Sequence, residues 1–171
     1  MNDSLKSRLF VFGQFALLVL LIVWPEDGSG FGLLDVLFEL IAFLFFVGGV
    51  VLVFTAIRQL FKFSIPKLSG STKDKNLKAL RIVWPKPMDD AKLVTTGIFR
   101  TIRHPIYSGL ILIGYGIGIG NGPVPQLLFA IGLHAVLRYK AELEEKFLLE
   151  KFDDYAAYMA RTNRFFPKAD D

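Results

Sequence analysis

Leu93-Val94-Thr95-Thr96-Gly97-Ile98-Phe99-Arg100-Thr101-Ile102-Arg103-His104-Pro105-Ile106-Tyr107-Ser108-Gly109 leads from a polar, basic segment into an apolar one. It gathers Arg, His and Tyr around a proline at that crossing. Proline in the first turn of a helix sacrifices no hydrogen bond, because the N–H groups there have no partner inside the helix. Pro105 therefore predicts a helix start that sets Arg103 and His104 at its mouth. Two readings follow: the pair, beside unsatisfied N–H groups, holds an anionic ligand group, or Arg103 anchors a membrane helix at the headgroups with His104 a polar interface residue.

Elsewhere the apolar residues fall in long blocks, in a chain of 171 residues that is 53% hydrophobic with 17 Phe. That pattern predicts an all-α polytopic membrane protein of about four transmembrane segments. They are placed at 9–24, 33–57, 105–120 and 125–139. The last two form a helical hairpin packed against the first two, and a cytoplasmic amphipathic helix over 140–162 follows. The whole is read as one integral membrane domain. The start resembles a signal peptide, with Lys6 and Arg8 before an apolar run, yet Trp24-Pro25 closes it with no small-residue cleavage site.

Residues 25–32 read as a glycine-rich turn. Asp35 and Glu39 share one face near the start of the second helix, either as interfacial carboxylates or as a functional pair. The loop 58–104 is rich in Lys and Arg, so it is expected on the cytoplasmic side, as are both termini. Within it Trp84-Pro85-Lys86-Pro87 stops any helix. Asn121-Gly122-Pro123-Val124-Pro125 turns the hairpin.

Several function classes drop out. With no cysteine, disulfides, thiolate zinc and cysteine nucleophiles are excluded, and two histidines in separate segments predict no metal site. The net charge of +4 lies in membrane-flanking segments, so anionic headgroups and not nucleic acid are the expected partner. Gly114-Tyr115-Gly116-Ile117-Gly118-Ile119-Gly120 imitates a nucleotide-binding fingerprint. No strand-helix-strand unit surrounds it, so these glycines are read as close helix contacts. His134, Arg138, Glu142 and Glu145 share a helix face, an ion-paired stripe unless a cavity faces it.

The quoted stretch, together with Glu144-Glu145, Phe152, Tyr155, Tyr158 and Arg164-Phe165-Phe166-Pro167, resembles the isoprenylcysteine carboxyl methyltransferase and phospholipid methyltransferase family of integral membrane enzymes. The resemblance covers most of the chain from Leu93 onward. It implies S-adenosylmethionine as cofactor and a lipid or lipidated substrate. Arg103, His104, Pro105, Ile106, Tyr107, Glu144 and Glu145 would bind the cofactor, with Leu93, Val94 and Phe99 lining its approach. Lys140 stands where relatives carry a substrate-contacting Arg. The loop before the motif becomes a cytoplasmic flap. Where relatives have Phe-Gly and Val-Pro, this chain has Phe152-Asp153-Asp154-Tyr155 and Thr162-Asn163.

A carboxylate can accept from ribose hydroxyls, and an aromatic face can stabilise a sulfonium. A carboxylate acceptor on an isoprenoid or related lipid needs no base, whereas an amine acceptor must lose a proton, for which Glu145 or His104 is the candidate. Carboxyl O-methylation leads on family grounds. Phospholipid N-methylation, a nicotinamide-dependent membrane reductase and a non-catalytic interaction protein remain the alternatives.

Overall fold

The computed structural model describes residues 3–25, 32–63, 92–121 and 124–168. Among them the chain is helical, with no strand beyond one isolated bridge between Ile102 and Asn163. The helices are α1 (Asp3–Val23), α2 (Asp35–Phe63), α3 (Pro105–Gly120), α4 (Pro125–Lys151) and α5 (Tyr155–Arg161), with single 3-10 turns at Gly32–Leu34 and Gly97–Arg100. Parts of both expected turns, at 26–31 and 122–123, lie outside the described residues, as does the basic flap over 64–91 with Trp84-Pro85-Lys86-Pro87.

Two helical stretches, Asp3–Val23 and Gly32–Lys62, are long and apolar enough to cross a membrane. Most of α2 turns apolar side chains outward, among them Phe43, Leu44, Val51 and Phe54. In water such a face would be unfavourable, whereas in hydrocarbon it is matched. The hairpin arms differ from these. α3 is a shorter apolar helix, and α4 carries its apolar half directly into a charged one.

The helix bounds correct the hydropathy pattern at four points. α1 starts at Asp3, where the Ser7 hydroxyl donates to the Asp3 carbonyl at 2.9 Å and Lys6 pairs with Asp3 at 3.3 Å. α2 continues to Phe63 instead of stopping near Ile57. α4 runs unbroken through position 139 to Lys151, because no proline interrupts it and a change from apolar to charged side chains does not break backbone hydrogen bonds. The expected single helix over 140–162 therefore does not exist: the backbone becomes extended at Phe152 and restarts as α5 at Tyr155.

The hairpin forms the centre. α2 packs along α3, α3 along α4, and α1 lies on α4 with a lesser contact to α3. The α2–α3 seam is built from glycine. A Cβ at Gly109 would come within 2.7 Å of the Gly49 carbonyl oxygen, and one at Gly116 within 2.8 Å of the Ala42 oxygen and Phe46 nitrogen. Such close backbone approach lets dispersion act between helices where hydrocarbon removes the hydrophobic drive. On the other side Leu21 of α1 joins Ile111, Ala130, Leu133 and Leu137 in the main apolar cluster.

Candidate functional site

Pro105 opens α3 and His104 is its N-cap residue. The approach to it is fixed at Gly97, whose φ of 61° suits glycine, and where a Cβ would meet the Gln59 side chain at 2.4 Å. Gln59 Oε1 accepts from the Ile98 N–H at 3.1 Å. Val94 and Phe99 then bury against Ala56 of α2. Ile106 touches both this cluster and the main one.

The C-terminal segment doubles back onto the same corner. Arg103 N donates to the Asn163 carbonyl at 2.9 Å and His104 N to that of Arg164 at 3.0 Å, a strand-like pairing flanking the Ile102–Asn163 bridge. Ser108 Oγ donates to the Phe165 carbonyl at 2.6 Å. Tyr158 donates to the Phe99 carbonyl at 2.6 Å; burial pushes its hydroxyl up to about 12, so it stays a donor throughout the physiological range. These contacts use backbone carbonyls, so they do not require the Phe-Gly and Val-Pro pattern of the relatives.

Consecutive residues on a helix point about 100° apart, and at Glu144-Glu145 that angle separates two environments. Glu145 is buried. It accepts from Arg103 Nε at 2.9 Å, Arg164 Nη2 at 2.7 Å and His104 Nε2 at 3.2 Å. Burial alone would push its carboxyl up, but the hydrogen bonds from His104, Arg164 and Arg103 override that and hold it well below the usual carboxylate range. Arg103 also donates to the carbonyls of Met159 and Thr162. Arg164 reaches Glu142 at 3.0 Å, and Glu142 takes Arg138 at 3.6 Å. The predicted ion-paired stripe is thus real from Arg138 to Glu145, while His134 sits apart with Tyr115 Oη 3.2 Å from its Nδ1.

Glu144 faces the other way and is partly open. Its Oε2 accepts from Tyr107 Oη at 2.8 Å and lies 3.6 Å from His104 Nδ1. The His104 and Tyr107 rings stack at 5.3 Å with 5° between planes. Lys140, one turn before Glu144, is fully buried; its Nζ donates to Gln14 Oε1 of α1 at 2.7 Å and stands 5.0 Å over the Tyr107 ring.

The expected residues therefore divide. His104, Tyr107, Glu144 and Lys140 converge on one group, with Pro105 setting its geometry. Arg103 and Glu145 form a neighbouring buried lock. Val94 and Phe99 pack on α2, and Leu93 precedes them half-buried. Sequence reasoning missed two partners. Arg164 completes the lock and Gln14 caps Lys140. Gln14 carried a signal, being a polar residue in an otherwise apolar run, which in a membrane helix marks a candidate site.

A model of the phospholipid methyltransferase family matches residues 38–155. The chain belongs to that family. It is a membrane protein, with a family match that begins in α2 and ends at the start of α5. Over 81 residues it is 36% identical to the cobalt-zinc-cadmium resistance protein CzcN of Cupriavidus metallidurans. That alignment covers 44% of this chain and 36% of CzcN, so this chain spans about a third of that relative.

Proposed function

We propose that this chain is a multi-pass membrane methyltransferase with both termini cytoplasmic, using S-adenosylmethionine to methylate a lipid-like acceptor at the membrane interface. The single observation that carries the reading is the convergence of His104, Tyr107 and Glu144, with Tyr107 Oη 2.8 Å from Glu144 Oε2 and His104 Nδ1 3.6 Å from it.

The donor set fits the cofactor at Glu144. Its contacts among the described residues fall on Oε2, and the carboxylate is partly open, so its other oxygen can accept from ribose hydroxyls. The Tyr107 ring already has the His104 ring and the Lys140 ammonium against it. We therefore assign Tyr107 to orienting Glu144 and not to facing the sulfonium. When bound, the cofactor supplies an electrophilic methyl group on a cationic sulfur.

Lys140 adds a cation in the desolvated part of this group, where it favours an anionic acceptor and disfavours a cationic amine. That supports carboxyl O-methylation of an isoprenoid or related lipid acid over phospholipid N-methylation. Glu145 is not the base of this reading, because three donors occupy it and its depressed pKa opposes protonation. An O-methylation has no need of one. The reductase and non-catalytic readings have no feature of the site in their favour.

The test incubates the detergent-purified protein with S-adenosylmethionine carrying a radiolabelled methyl group and with lipid extract. Label in lipid that mild base releases as methanol is the expected ester; base-stable label would rule out the ester, with label in methylated ethanolamine headgroups establishing N-methylation, and no transfer by folded protein would count against the enzyme.

A further inference from the structure

Lys140 and Gln14 are an uncommon pair to find inside a membrane bundle. The ammonium is 0% exposed and Gln14 5%, and their contact joins α4 to α1 across 126 positions of sequence. An ammonium has three donors and pays a large desolvation cost unless a charge compensates it. Its direct contacts among the described residues are one neutral amide oxygen at 2.7 Å and the Tyr107 ring at 5.0 Å, while the Glu144 carboxylate one turn on acts on it only electrostatically, without a hydrogen bond. A carboxylate or phosphate oxygen would be the stronger partner, since it sets a full negative charge against the ammonium where the Gln14 amide offers only a dipole. Gln14 Oε1 occupies the place where such an oxygen would be received. It also comes from α1, which precedes the family match altogether.

We propose that Gln14 is an internal stand-in for the anionic group of the acceptor: it caps Lys140 while the site is empty, and an acid entering from the membrane displaces it. This rests on the reading in which Lys140 meets the acceptor, and it adds α1 as the element that must yield. Because Gln14 is neutral, it holds the ammonium without cancelling its charge. The preference for an anion persists, and the competing bond is weak enough to be exchanged. A glutamate at the same place would cancel that charge and close the subsite.

Opposite signs make the test specific. The probes are palmitate and hexadecanol at equal mole fraction in detergent micelles, measured by equilibrium binding, with unfolding midpoints recorded for each variant. Wild type should prefer the acid over the alcohol. Gln14→Leu, which removes the competitor, should raise palmitate affinity about tenfold, the scale of one charge-assisted hydrogen bond. Gln14→Glu and Lys140→Met should both erase the acid preference, and hexadecanol binding should stay level throughout. A purely structural contact would make Gln14→Leu bind palmitate as wild type does or more weakly, and either result overturns the proposal, as does a wild type without acid preference. Calorimetry with S-adenosylhomocysteine on the same preparations separates the two claims. Cofactor binding without the acid pattern removes the stand-in alone, while the acid pattern without cofactor binding removes the methyltransferase reading and leaves the stand-in.

Discussion

Glu144 and Glu145 are neighbours with identical side chains, yet Glu145 is held by three donors in a buried lock while Glu144 is partly open. The difference comes from what arrives on each side of α4. The Glu145 side receives Arg103 from the entry to α3 and Arg164 from the C-terminal segment, two cations for one carboxylate. The Glu144 side receives Tyr107 and, near it, Lys140 with its Gln14 cap, while His104 lies between the two carboxylates, its Nε2 3.2 Å from Glu145 and its Nδ1 3.6 Å from Glu144. Residue type therefore says little about role here. A carboxylate held by two arginines and a ring nitrogen fastens the corner; a carboxylate held by one hydroxyl has capacity left for a ligand.

The strongest way to break this contrast is Glu145→Ala. It leaves the buried Arg103 without its carboxylate, while Arg164 keeps Glu142, and breaking a buried pair by removing one partner costs about 3–5 kcal/mol. Thermal unfolding in detergent should drop steeply. Glu144→Gln, by comparison, weakens one hydrogen bond at a partly open position and should cost about 1 kcal/mol or less.

Next in size is a control on the glycine seam. Gly116→Val drives side-chain atoms into the α2 backbone at Ala42 and Phe46, and overpacking of this kind costs about 1–3 kcal/mol. It should lower the unfolding midpoint by the same amount at every pH. That sets it apart from the lock, whose contribution titrates. The Glu145 pKa is depressed in the folded state, so its stabilisation is present above the ordinary carboxylate value of about 4.3 and is lost as pH falls below it. Unfolding midpoints of wild type should fall in acid, and Glu145→Gln should flatten that fall; an equal acid slope in both would remove Glu145 as its source.

These contrasts were unevenly legible in the amino-acid sequence. Among the described residues, each of the four long helices is announced by an apolar run, though the short α5 is not, and Pro105 and the glycines of α3 give the hairpin's start and its close packing, because those signals are local. Hydropathy marks where side chains change solvent, however, and the backbone does not follow it: α1 begins in polar Asp3, and α4 passes position 139 without a break. The family motif names His104, Tyr107 and Glu144, and the fold places them beside one another. It cannot tell Glu144 from Glu145, since that depends on the rotation of α4 and on Arg164 folding back from beyond α5. Gln14 was visible as a polar residue in an apolar run, but its partner lies 126 positions away.

The most direct measurement is a calorimetric titration of the detergent-purified protein with S-adenosylhomocysteine, in wild type, His104→Ala and Glu144→Gln, each checked for an intact unfolding transition. Saturable binding to wild type that is lost or weakened at least tenfold in both variants is the predicted result. Wild-type affinity retained in folded Glu144→Gln, or no binding to folded wild type, would contradict the assignment of Glu144 as the carboxylate that binds.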